Sequence, residues 1–153
     1  MSVEDLRIAA KAGNLPEGKR LIEVQKVNPN GKDEYGNTAI HRVAINGHSN
    51  VLKYLLAGVD NLDVNVKDNE RGWTSLHLAA LEGHLDVIKY LVEEAHIEDV
   101  NAKDNFGWTA LHNAARKGNL DMIKYLVEGN ARCDWTIKDN AGRTALDIAR
   151  SHN

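Results

Sequence analysis

The chain has 153 residues, 27% of them charged and 42% apolar, and its 19 Lys and Arg against 22 Asp and Glu leave a formal net charge of -3. That length suits one ordinary domain, and so small a charge supplies no global pull toward nucleic acid or an anionic membrane, so neither is expected as a partner. No apolar stretch reaches the ~18 residues a bilayer span needs, the first residues lack a signal-peptide profile, and the single cysteine, Cys133, excludes an intrachain disulfide, so a cytoplasmic, reducing location is expected.

Residues 2–32 read as a degenerate opening helix pair broken by Gly13. From there the chain repeats itself. Gly36-Asn37-Thr38-Ala39-Ile40-His41-Arg42-Val43-Ala44 returns as Gly72-Trp73-Thr74-Ser75-Leu76-His77-Leu78-Ala79-Ala80, and again as Gly107-Trp108-Thr109-Ala110-Leu111-His112-Asn113-Ala114-Ala115. The offsets are 36 and 35 residues, and a weaker fourth copy, Gly142 to Arg150, begins 35 residues later with Asp147 in the histidine position. Gly13, Gly47, Gly83 and Gly118 keep the same beat.

Within the unit that starts near Asn69, Leu76, Ala79 and Ala80 lie on one face of a short first helix, small enough there for close packing. Gly83 breaks that helix. Val87, Ile88, Leu91 and Val92 then line a second helix, and Asp99 to Asn105 is rich in turn formers. Such a unit cannot bury its own apolar face, so neighbours must stack on it. The units are expected at 33–68, 69–103 and 104–138, followed by a half unit at 139–153.

Three in-phase copies of Thr-x-Leu-His-x-Ala or its close variant, at Thr38, Thr74 and Thr109, resemble the ankyrin repeat signature, with Ala39, Ser75 and Ala110 where proline is usual. The resemblance covers nearly the whole chain. It implies an all-α solenoid of stacked helix-turn-helix units with projecting β-hairpin loops, and it gives the repeated histidines a structural task. Two departures stand out. Each full unit carries two extra residues after its second helix, at 59–62, 95–98 and 130–133, so that helix or its exit should be longer. The last copy holds only a first helix, which either serves as a cap or marks a chain cut from a longer one.

Several constellations have plain readings. Gly13 to Lys19 has the glycine and lysine spacing of a phosphate-binding loop, yet a helix precedes it and Arg20 stands where Ser or Thr is needed. The histidines recur at one unit position each, about 8–10 Å apart in a stack, too far to share a metal. Tyr54, Tyr90 and Tyr125 recur on the second helix and read as core. Nothing in the sequence near Cys133 offers a base to activate it. No catalytic, cofactor or metal site is therefore expected.

By the resemblance, partner-facing positions lie beside the loop glycine and at the end of the first helix, on the concave side. They are Tyr35, Asn37, Ile45 and Asn46, then Arg71, Trp73, Leu81 and Glu82, then Phe106, Trp108, Arg116 and Lys117, and finally Arg143 and Arg150. Four of the eight aromatic residues fall on this strip, and aromatic and arginine side chains dominate interface hot spots. The competing reading has Trp73 and Trp108 stiffening the array by stacking on neighbouring loops. The strip favours a non-enzymatic protein-protein interaction module whose partner carries an apolar and acidic segment. A targeting or regulatory domain of a larger protein, an enzyme or a bacterial effector, is the alternative. A monomer is expected, with a dimer through the uncapped C-terminal end as the other outcome.

Overall fold

A computed structural model describes residues 2–152; the end residues of the expected domain, Met1 and Asn153, lie outside the described residues. The helices are α1 (Val3–Ala12), α2 (Leu15–Lys19), α3 (Ala39–Asn46), α4 (Ser49–Gly58), α5 (Ser75–Glu82), α6 (Leu85–Glu94), α7 (Ala110–Lys117), α8 (Leu120–Glu128) and α9 (Ala145–Ser151). The α2 helix runs on as a π-helical turn, Arg20–Val24, whose Leu21 is fully buried. Among the described residues no helix is long and apolar enough to cross a membrane.

First helices pack side by side in the order α1, α3, α5, α7, α9, and α4 packs on both α2 and α6 in a second row. The first row is close because its buried face is small: Ala44, Ala79, Ala80 and Ala114 are wholly inaccessible. Bulk comes from the second row, where Leu52, Leu55, Val87, Ile88, Leu91, Met122 and Leu126 fill the space between units.

Start and stop signals are repeated as faithfully as the core. Thr38, Thr74 and Thr109 cap the first helices, while Gly47, Gly83 and Gly118 end them in the left-handed conformation, with φ of 73°, 84° and 68°. Gly47 has a second reason to be glycine. A β-carbon there would sit 2.6 Å from Nδ1 of His84, whose ring packs over it while Nε2–H donates to the Ile45 carbonyl at 3.0 Å. His48 meets Gly13 in the same way and donates to the Lys11 carbonyl at 2.8 Å. Gly13 therefore closes α1, and the segment after it is helical, not a phosphate-binding loop.

The projecting loops are turns, and among the described residues none forms a β-strand. Each is closed at its base by a main-chain bond, such as Asp104 N–H to the Trp108 carbonyl at 2.8 Å, three of the four add a turn bond such as Gly107 N–H to the Asp104 carbonyl at 3.0 Å, and successive loops are joined by one main-chain bond, such as Asn105 N–H to the Arg71 carbonyl at 2.8 Å. Single bonds at one-repeat intervals do not make a ladder, so the hairpin shape survives without strands. The extra residues lie in the exits of the second helices, where Asn61, His96 and Arg132 turn the chain with φ of 58°, 51° and 47°.

Candidate partner-binding surface

Each loop is organised by an aspartate at its base. Oδ1 of Asp104 accepts the N–H groups of Phe106 and Trp108, both at 2.8 Å, and Oδ1 of Asp68 does the same for Arg71 and Gly72, at 2.8 and 2.9 Å. Its other oxygen reaches across the stack. Trp73 Nε1–H donates to Asp104 Oδ2 at 2.9 Å, and Trp108 Nε1–H donates to Asp139 Oδ2 at 3.0 Å. Burial raises the Asp139 carboxyl, but hydrogen bonds from the Arg143 backbone and guanidinium outweigh it and hold the pKa at about 2.

The histidines do similar work one layer deeper. Nδ1 of His41, His77 and His112 accepts the backbone N–H of its own capping threonine at 3.1, 3.2 and 3.2 Å. That leaves the proton on Nε2, which donates to the carbonyls of Trp73, Trp108 and Arg143 in the following loops at 3.2, 2.9 and 3.2 Å. Burial pushes all three imidazoles below their ordinary pKa, against a smaller upward pull from those carbonyls. In the fourth copy Asp147 caps its own Thr144 at 2.8 Å, a carboxylate doing the Nδ1 half of the task alone.

Between the loops and the ends of α5 and α7 lies an open groove of about 740 Å³. It gathers Arg71, Trp73, Leu81, Phe106, Trp108, Arg116, Lys117 and Arg143 from the expected strip. The Arg71 guanidinium lies 4.6 Å above the Trp73 ring and that of Arg116 lies 5.8 Å from Trp108, whose other neighbour is His112 at 6.0 Å between ring centres. Phe106 is 57% exposed. The remaining strip residues, Tyr35, Asn37, Ile45, Asn46, Glu82 and Arg150, lie outside this groove.

Sequence reasoning missed Asp104, Asn113, Asp139, Asn140, Ala141 and His152 as groove residues. The signal for the aspartates was present, since Asp33, Asp68, Asp104 and Asp139 recur with the repeat period. Both tryptophans prove to be half-buried clips between repeats as well as groove lining, so the stiffening role is real and truncating them touches stability too. Trp135, 59% exposed, lies off the groove.

The opposite side, built from second helices, looks different. Tyr54 and Tyr125 donate to Glu23 and Glu93 at 2.8 and 2.9 Å, and Lys19, Lys53 and Lys89 sit 5.2, 4.6 and 5.5 Å over Tyr54, Tyr90 and Tyr125. All three tyrosines pack against the core, as their periodicity implies. Cys133 is buried, and burial, helped by Asp99, pushes its thiol up to about 11. Among the described residues no three ligating side chains converge on a metal-sized space.

Residues 6–104 match a family model described as ankyrin repeats (3 copies), and residues 97–149 match one described as ankyrin repeats (many copies). A 67-residue stretch is 39% identical to the palmitoyltransferase akr1 of Aspergillus oryzae, covering 44% of this chain and 9% of that protein. The chain thus corresponds to less than a tenth of that relative's length. With the periodic caps, the glycine stops and the loop-to-loop bonds all in one register, and with family matches running from residue 6 to residue 149, the chain belongs to the ankyrin repeat family.

Proposed function

We propose that this chain is a non-enzymatic binding module that grips another protein through the groove formed by its loops and first helices. Ankyrin repeats are in general non-catalytic protein-protein interaction modules, and the present reading assigns that role to one face. The observation that carries it is the company Phe106 keeps. A large aromatic ring stands 57% exposed in a groove that also holds two tryptophans and four cationic side chains, on a scaffold whose loops are pinned by main-chain and side-chain bonds. Rigid aromatic and arginine clusters of this kind are typical of interface hot spots, and a pre-ordered surface loses little entropy on binding. The second-helix face offers instead a solvated row of lysines and glutamates.

Affinity capture from a native lysate tests this, comparing the intact chain with a Phe106→Ala, Arg116→Glu double variant. Neither side chain makes a bond on which the stack depends. Loss of the captured proteins in the variant is expected. Equal capture by both chains would move the site to another face.

The match to part of a palmitoyltransferase favours a second reading, in which this is a targeting or regulatory segment of a larger protein whose activity lies elsewhere. Sequencing the native transcript discriminates: a reading frame continuing past Asn153 supports it, and a stop codon there counts against it.

A further inference from the structure

The charges lining the groove are not balanced. Four cationic side chains face two carboxylates there, although the whole chain is negative. Both carboxylates are already occupied. Asp104 holds two loop N–H groups and the Trp73 indole, while Asp139 holds its own loop, the Trp108 indole and the Arg143 guanidinium at 2.8 and 3.0 Å. Arg143 is thereby neutralised. Arg71, Arg116 and Lys117 are exposed, and none of them forms an ion pair among the described residues.

The two unpaired guanidiniums also have a fixed posture. The Arg71 guanidinium lies over the Trp73 indole and that of Arg116 beside the Trp108 indole, which restricts both cations while leaving their N–H groups able to meet a carboxylate. Arg71 lies in the loop of one repeat and Arg116 at the end of the first helix of the next, so the two cations stand in successive repeats along one groove. An extended segment laid along the groove can therefore bring carboxylates to the arginines and an apolar side chain to Phe106.

Resting on the groove reading above, we propose that the occupant is an extended acidic segment of a partner protein, with Asp or Glu residues beside a large apolar side chain. Arg71 and Arg116 each take one carboxylate, and Lys117 adds long-range attraction. The recognition is by charge, so it weakens in high salt.

Panning a phage library of random 12-residue peptides against the chain, followed by fluorescence anisotropy of the enriched sequences, is the test. Enrichment of peptides that combine Asp or Glu with a large apolar residue is expected, with affinity falling at least tenfold when the acids become Gln. An Arg71→Glu, Arg116→Glu chain, checked for fold by circular dichroism, should enrich Lys and Arg peptides instead. Enriched peptides without excess acid, whose binding is nonetheless lost in Phe106→Ala, would overturn the acidic partner while leaving the groove in place. Peptides indifferent to Phe106→Ala and to the charge reversal would overturn the groove itself, as would no enrichment at all.

Discussion

The indole N–H of Trp73 ends on Oδ2 of Asp104, 31 residues away in the next loop, at 2.9 Å, and the same carboxylate's Oδ1 folds that loop. One carboxylate thus couples the shape of a loop to its attachment to the previous repeat. Trp73→Phe keeps an aromatic ring and removes the donor, and should lower the unfolding free energy by about 1.5–3 kcal/mol, the range for bonds to charged groups. Trp135→Phe, at an exposed ring with no such bond, should stay within roughly 0.5 kcal/mol. Urea titration of both variants checks the contrast, and equal midpoints would contradict it.

The histidine bridges make stability depend on pH. Their folded pKa values lie below the ordinary histidine value near 6.5, so the unfolded chain binds protons that the folded one refuses. Stability is fully present above about pH 6.5 and is lost as pH falls below it, by at most about 1.4 kcal/mol per pH unit for each histidine. Protonation also puts a hydrogen on Nδ1, where the threonine N–H now donates. Urea midpoints should fall between pH 7 and pH 5, before the carboxylates titrate, and His77→Gln should flatten the slope. A midpoint rising over that interval would contradict the assigned tautomers.

How much of this was legible beforehand follows from distance along the chain. Caps, glycine stops and the apolar faces of the helices are set within a few residues, and Thr74, His77 and Gly83 announced them. The groove's aromatic floor and its Arg71, Arg116 rim were legible through the repeat register. Partners one repeat away were not. Nothing local to Trp73 says that its N–H is already spent on Asp104, and nothing local to His84 says that its ring lies on Gly47. The loops were expected as β-hairpins, but each shares only one main-chain bond with each neighbour, too few for strands.

Glycine substitutions separate backbone strain from contact. Gly118→Ala places a β-carbon in open space, so only the positive φ opposes it, at about 1–2 kcal/mol. Gly47→Ala has that strain and a collision with the His84 ring, which is held by its bond to Ile45. It should cost more, and adding His84→Ala should recover part of the difference in a double-mutant cycle. Equal losses at the two glycines would show that the ring moves away freely.

Cys133 offers a view of local opening. With its thiol pushed up to about 11, its thiolate fraction at pH 7.5 is more than about 100-fold below that of an ordinary cysteine, and burial adds a steric barrier. Labelling by a thiol reagent should be slow in buffer and fast in urea, with the native rate following opening of the repeat around α8. Fast labelling in buffer would mean that this region opens readily.

The binding face itself is tested most directly by the three indole N–H resonances in an NMR titration with a peptide recovered by panning. Trp73 and Trp108 line the groove and Trp135 does not. The account predicts saturable shifts of the Trp73 and Trp108 signals with Trp135 unmoved. Movement of Trp135 alone, or backbone shifts confined to α4, α6 and α8, would contradict it.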